Sequence, residues 1–178
     1  MAHIAVLGLG NWGSAIARLW LLDGHNVKGW TIEQEVYESI TMEGMNHKYL
    51  PNHSLDGLEV TMHVEEALQG SEIIVLALPS SVILNVVEQI IPHLRPGHVL
   101  LDLAKGLAPG KRLISQAIHD LLNDSEKHNP LAVLTGPTIA PEAAGGVLTT
   151  ALVASEDETV AENLATTLTT PTFILHFM

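Results

Sequence analysis

Three glycines near the start of the chain constrain its fold more than any other feature. Gly8, Gly10 and Gly13 follow an apolar run, residues 4–7, in the spacing G-x-G-x-x-G. Apolar residues then recur at helical spacing as far as Leu22. In a dinucleotide-binding turn the first glycine permits the tight turn, the second lets a diphosphate approach the backbone, and the third lets helix and strand pack closely. The helix N-terminus would attract the anion, so dinucleotide binding is favoured over a glycine turn without a ligand.

The rest of the chain alternates strands and helices, which predicts a doubly wound, mostly parallel α/β sheet of Rossmann type in one domain, residues 1–178. We predict strands over residues 4–7, 26–30, 59–62, 72–78, 99–103, 131–134, 151–154 and 172–177. We predict a first helix that opens inside the glycine motif and ends at Asp23-Gly24, and further helices over 64–68, from Ser80 or Ser81 to 91, 112–122 and 157–167. Residues 34–57 are expected to be irregular, apart from a short polar helix.

Composition argues against several classes of function. With 20 acidic and 8 basic residues and a formal net charge of −12, no basic face for nucleic acid can be assembled. The absence of cysteine rules out disulfides and thiol catalysis. No apolar run has the length of a membrane span and no signal-like segment begins the chain, so a cytoplasmic protein is expected. The ten histidines are scattered, which predicts surface or loop positions and no metal site.

Three residues stand out at predicted strand ends, where ligands bind in an open parallel sheet. Glu33 lies about twenty residues beyond the glycines, where an acidic residue bonds the ribose; the alternative is that it only begins the next helix. No arginine or lysine follows it, which favours NAD over NADP. Pro79 ends a central strand beside the glycine turn. Lys105 follows another strand in a chain with few cations, so it is either a reactive group or an ordinary surface lysine.

Taken in order, these motifs resemble the NAD(P)-dependent glycerol-3-phosphate dehydrogenase family over essentially the whole chain. The matching segments are 8–15 (GLGNWGSA), 24–25 (GH), 46 with 49–51 (N, YLP), 79–80 (PS), 105–107 (KGL) and 136–142 (GPTIAPE). The resemblance implies hydride transfer between NAD or NADP and dihydroxyacetone phosphate or sn-glycerol 3-phosphate, a small phosphorylated substrate. Two weaker alternatives are a non-catalytic nucleotide-binding or interaction module and the domain of a related hydroxyacid dehydrogenase.

The resemblance also implies roles for individual residues. The cofactor would contact Asn11, Trp12, Lys105 and Ala140. The substrate would contact Lys105, Gly136 and Thr138. As the candidate catalytic residue, Lys105 would hold the substrate oxygen on which negative charge develops.

The chain departs from the family pattern at three points. Ile32 stands where a basic or polar residue is frequent, and Asn11 stands where serine is frequent, although its amide could still cap the helix. The family continues into a helical domain with the acid–base lysine and the groups that bind the substrate phosphate, and Met178 lies about where that domain begins. We therefore expect the isolated chain to bind its cofactor without turnover, with a helical second domain or a homo-oligomer as possible partners.

Overall fold

The computed structural model describes residues 1–178, in which strands and helices alternate as the apolar pattern predicts. The strands are β1 (His3–Leu7), β2 (Asn26–Trp30), β3 (Met45–Asn46), β4 (Leu50–Ser54), β5 (Glu59–Thr61), β6 (Ile73–Leu76), β7 (Val99–Asp102), β8 (Leu107–Ala108), β9 (Arg112–Leu113), β10 (Leu131–Thr135), β11 (Thr149–Ser155) and β12 (Phe173–Phe177). The helices are α1 (Asn11–Leu22), α2 (Gln34–Glu43), α3 (Val64–Leu68), α4 (Ile83–Ile90), α5 (Ile114–Asp124), α6 (Ala140–Ala144) and α7 (Glu158–Leu168). No helix is both long and apolar enough to cross a bilayer.

Eight of the strands form one sheet in the order β12-β11-β10-β7-β6-β1-β2-β5. Every neighbouring pair is parallel except β10 with β11. The strand order reverses between β1 and β6, because β2 and β5 lie on one side of β1 and the strands from β6 onward lie on the other. The doubly wound, mostly parallel sheet is therefore confirmed, and the carboxyl ends of β1, β2, β6, β7 and β10 lie along one edge.

Helices cover both faces of the sheet, which explains why the central strands are apolar on both sides. The core on one face joins the sheet to α1, α2, α6 and α7, and the core on the other joins it to α3, α4 and α5. The fully buried Trp20 ties the first face together, because its indole N–H donates to the Leu168 carbonyl at 3.0 Å. These two layers fix the strand ends at which the candidate residues lie.

The largest difference from the sequence prediction lies in residues 34–57. α2 is a regular helix of ten residues that ends at Gly44 in the left-handed conformation (φ 65). β3 and β4 then form an antiparallel hairpin, where the sequence predicted irregular chain. The hairpin escaped the pattern because β3 has two residues and β4 carries Pro51 and Asn52, which are depleted in strands.

Three helices also differ from the prediction. α4 begins at Ile83, and neither Ser80 nor Ser81 caps it. α5 begins at Ile114 because the two preceding residues pair with β8 in a second short hairpin. α6 was not predicted, since Pro141 suggests a break; the proline instead occupies the first turn of the helix, where its missing N–H costs nothing.

Two of the ten histidines, His25 and His98, are buried, but both lie in loops, which agrees with the prediction of surface or loop positions. His25 accepts a hydrogen bond from the Ala2 N–H at 3.1 Å. His98 accepts from the Arg95 N–H at 3.1 Å, and burial together with the Arg95 charge lowers the pKa of its imidazole. The His98 bond closes a turn across three residues, whereas the His25 bond ties the start of the chain to the loop between α1 and β2.

Candidate functional site

The glycine turn joins β1 to α1 beside the point where the strand order reverses, and each of its glycines meets a different constraint. Gly8 has φ 101, and a Cβ there would lie 2.4 Å from the Ala77 carbonyl oxygen. A Cβ on Gly13 would lie 1.8 Å from the Gly8 carbonyl oxygen. A Cβ on Gly10 would meet nothing within 4 Å. Two glycines are therefore required by packing, whereas the third leaves the backbone open to solvent.

The N-terminus of α1 begins at Gly10, which is half-buried. Gly10 is the N-cap residue, and no side chain caps the helix. The predicted polar cap at Asn11 is wrong, because Asn11 is the first residue of the helix itself. The first N–H groups of the helix thus lack a side-chain acceptor, and with the helix dipole they form a site that suits an anion.

A buried polar network holds the glycine turn from behind. The Asn46 side chain is fully buried, and its amide donates to the Leu9 carbonyl and to the Ser14 hydroxyl, both at 2.9 Å. The Ser14 hydroxyl donates to the same carbonyl at 3.1 Å, and the Tyr49 N–H donates to the Asn46 side-chain oxygen at 3.1 Å. The β3–β4 hairpin therefore fixes the shape of the turn, a role the sequence did not reveal.

Glu33 lies just beyond β2 and precedes α2 without capping it. Its carboxylate accepts hydrogen bonds from the Lys48 ammonium and from the Tyr49 hydroxyl, the latter at 2.9 Å. The bond from Lys48 is the largest cause of the lowered pKa of Glu33, and it raises the pKa of Lys48. No basic residue follows Glu33 directly in the chain, but the hairpin supplies Lys48 to it from fifteen residues away. Ile32 beside it is exposed.

A cavity of about 300 Å³ lies at the carboxyl ends of β7 and β10. It brings together four of the predicted residues, Trp12, Lys105, Gly136 and Thr138. Lys105 is the only charged residue in its lining, so the cavity can neutralise one negative charge or donate to one oxygen. Ala140, Pro79 and Glu33 do not line it.

Two larger cavities contain none of the predicted site residues. One of about 870 Å³ lies between α5 and the strands β10 and β11, and one of about 560 Å³ lies beside the end of α2. Neither lies at the strand ends beside the glycine turn. No three histidine, aspartate or glutamate side chains are grouped closely enough to hold a metal ion. The geometry therefore favours the glycine turn and the Lys105 cavity as one site.

Comparison with known proteins points to one family. Residues 3–161 match the family model described as the N-terminus of NAD-dependent glycerol-3-phosphate dehydrogenase. The glycerol-3-phosphate dehydrogenases [NAD(P)+] of Acidobacterium capsulatum and Syntrophotalea carbinolica are 39% and 35% identical, over 92% and 91% of this chain and 50% and 49% of their own lengths. A crystal structure of glycerol-3-phosphate dehydrogenase from Coxiella burnetii is 28% identical, with a TM-score of 0.90 over 99% of this chain and 54% of that one. The chain thus spans about half the length of the curated relatives it matches.

Proposed function

Because the chain belongs to the NAD-dependent glycerol-3-phosphate dehydrogenase family, with a match to the N-terminal part of its relatives, we propose that it binds NAD or NADP for that reaction. A hydride would pass between the nicotinamide and the central carbon of dihydroxyacetone phosphate or sn-glycerol 3-phosphate. The observation that carries the proposal is the open backbone at Gly10, at the N-terminus of α1. A pyrophosphate fits there because its charge meets free N–H groups and no Cβ obstructs its approach.

The two ends of the dinucleotide would lie on opposite sides of the glycine turn. β2, with Glu33 just beyond it, is three strand positions from β7 in the sheet, which is about 14 Å. The adenosine ribose would lie beside Glu33, and the nicotinamide would enter the cavity lined by Trp12 and Lys105. Gly136 and Thr138 at the end of β10 line the same cavity and would face the substrate. The extended cofactor would thus follow the carboxyl edge of the sheet.

Lys105 would hold the substrate oxygen that gains or loses the proton as the hydride is transferred. Its ammonium is the single charge in the cavity, so its removal leaves that oxygen with no charged donor. Lys105→Met is expected to weaken binding of NADH with a substrate analogue by about tenfold, the usual size of a lost charged hydrogen bond. Titration calorimetry of the 178-residue chain tests both the lysine and the proposed function.

Lys111→Met is the matched control, because Lys111 is also an exposed lysine but does not line the cavity. Equal affinities in the wild type and Lys105→Met would contradict the role of Lys105. A wild-type chain that bound neither NADH nor NADPH would contradict the proposed function itself.

Glu33 and Lys48 would set the preference between NAD and NADP. In the wild type, a 2′-phosphate would meet the Glu33 carboxylate while Lys48 is already paired with it, so NAD is favoured. Glu33→Gln removes the negative charge and frees the ammonium, and we expect it to raise the affinity for NADPH relative to NADH by about tenfold. Lys48→Met is expected to change the ratio in the opposite direction. Competition titrations at low salt measure the affinity for NADPH relative to NADH in both variants.

Glu162→Gln removes an exposed carboxylate from α7 and serves as the control for net charge. A ratio that moved equally in Glu33→Gln and Glu162→Gln would show a general charge effect and contradict the local role of Glu33.

We expect the 178 residues alone to bind NADH without turnover, because the resemblance assigns the acid–base lysine to the part of the relatives beyond the matched half. A helical second domain, a homo-oligomer and a cytoplasmic location stay predictions. Turnover of dihydroxyacetone phosphate by the purified chain would mean that the matched half holds a complete proton-transfer apparatus.

A further inference from the structure

Asp102 is a buried carboxylate at the carboxyl end of β7, three residues before Lys105, and the proposed function leaves it unused. Only 2% of the residue is exposed. We propose that Asp102 is a positioning residue, whose carboxylate holds the backbone of the loop 103–106 and so fixes where Lys105 stands. The proposal rests on the function proposed above, since that function places the nicotinamide of NADH in the cavity beside Lys105, but the hold of Asp102 on the loop can be tested without a cofactor.

The contact that supports this role is a hydrogen bond across the start of the loop. The Ala104 N–H donates to an Asp102 carboxylate oxygen at 2.8 Å. The preceding Leu103 N–H donates to the Leu76 carbonyl at 3.0 Å, which continues the pairing of β7 with β6. The Asp102 bond is thus the first contact beyond the sheet, at the place where the chain turns toward Lys105.

The far end of the loop is fixed because it leads directly into β8, which pairs with β9 from Leu107 onward. Gly106 has φ 112, and a Cβ there would lie 3.4 Å from the Ser80 hydroxyl oxygen. Lys105 is therefore carried on a short segment held at both ends, while its own side chain is exposed to the cavity. Loss of either anchor would let the ammonium move relative to the glycine turn.

The carboxylate has no ionic partner that would make it part of a structural salt bridge. Its neighbours in the sheet register are Leu76 on β6 and Val133 on β10. Lys105 and Lys111 form no ion pair, and Arg112 pairs with Asp120. A buried, unpaired carboxylate is unfavourable for folding, and an apolar residue would pack there at lower cost. The bond to Ala104 is the one compensating contact that the geometry offers.

Burial raises the pKa of Asp102 to about 6, and the bond from Ala104 opposes the rise. Because the pKa in the folded state exceeds that in the unfolded chain, the carboxyl group costs no stability at low pH and costs most above about pH 6. The carboxylate anion is a stronger hydrogen-bond acceptor than the neutral acid. The loop is therefore held most firmly above about pH 6, where the buried charge also destabilises the fold most. A residue with a purely structural role would not carry this titration into the binding of NADH.

Two substitutions separate positioning from folding. Asp102→Asn keeps an acceptor oxygen without the charge, and Asp102→Leu fills the space without an acceptor. We expect Asp102→Leu to weaken NADH binding by about tenfold and Asp102→Asn by only a few fold, the sizes of a lost and a weakened charged bond. NADH is titrated from pH 5 to pH 8, and thermal melting and hydrogen exchange of the Ala104 amide are followed over the same range.

The wild type should bind NADH more weakly below about pH 6, where the carboxyl group is protonated, and Asp102→Asn should lose that pH dependence. The Ala104 amide should exchange slowly in the wild type and in Asp102→Asn, and rapidly in Asp102→Leu. A folded Asp102→Leu protein that binds NADH as the wild type does, or that keeps its Ala104 amide protected, would overturn the proposal. If the wild type bound no NADH, the proposed function would fall, and the amide exchange would still decide whether Asp102 holds the loop.

Discussion

Gly13→Ala is expected to lower the free energy of unfolding by about 3 kcal/mol or more, the upper part of the range for overpacked sites. The added Cβ would lie 1.8 Å from the Gly8 carbonyl oxygen and 3.0 Å from the Gly8 carbonyl carbon. Both are backbone atoms of a turn that is itself pressed against Ala77, so neither can swing aside as a side chain could. For a chain of this length such a loss lowers the melting temperature by about 10 °C. Circular dichroism melting measures it.

Gly97→Ala is the matched control for this substitution. A Cβ on Gly97 would meet no atom within 4 Å, and its φ lies outside the left-handed region, so the change should alter stability by less than about 1 kcal/mol. If Gly13→Ala and Gly97→Ala had the same melting temperature, the close packing of α1 on the glycine turn would be contradicted.

The parts of the fold that the sequence predicted best are those that local residues determine. β2 and α3 have the predicted bounds, Asn26–Trp30 and Val64–Leu68, because a glycine marks one end of each segment, Gly24 before β2 and Gly70 after α3. The glycine turn was predicted for the same reason, since its three glycines and the flanking strand and helix are adjacent in the chain. In β3 and β4 the residues themselves favour turns, and pairing across the hairpin determined the structure instead.

The parts of the site that the sequence did not assign depend on contacts between distant residues. Asn46 supports the Leu9 carbonyl across 37 positions, and Lys48 reaches Glu33 across 15. Asp102 resembles any strand-end acid in the sequence, and only the sheet register shows it enclosed between Leu76 and Val133. Each of these roles comes from the way the hairpin or the sheet closes, which residue spacing along the chain does not encode.

Substitution of Gly10 by alanine is expected to weaken the binding of NADH strongly and to leave the stability of the fold unchanged. Gly10→Ala places a Cβ in open space, and φ −75 at this position suits alanine, so the melting temperature should stay within a few degrees of the wild type. The same Cβ would occupy the path by which a pyrophosphate reaches the N-terminus of α1. We expect NADH affinity to fall by about a hundredfold or more, because steric exclusion also removes the hydrogen bonds to the helix N–H groups. Calorimetry with NADH on the folded variant measures the loss.

Comparing the two glycine variants separates the ligand from the scaffold within one motif. Gly13→Ala damages the fold, and its residual folded fraction should still bind NADH, because its added Cβ points into the turn toward Gly8. Gly10→Ala keeps the fold and loses the ligand, because its added Cβ meets no protein atom within 4 Å and lies in the space that the pyrophosphate would occupy. If Gly10→Ala bound NADH as the wild type does, the open backbone would not be where the pyrophosphate lies. A nucleotide site would then have to be sought away from the α1 N-terminus, and the placement of the nicotinamide beside Lys105 would fail with it.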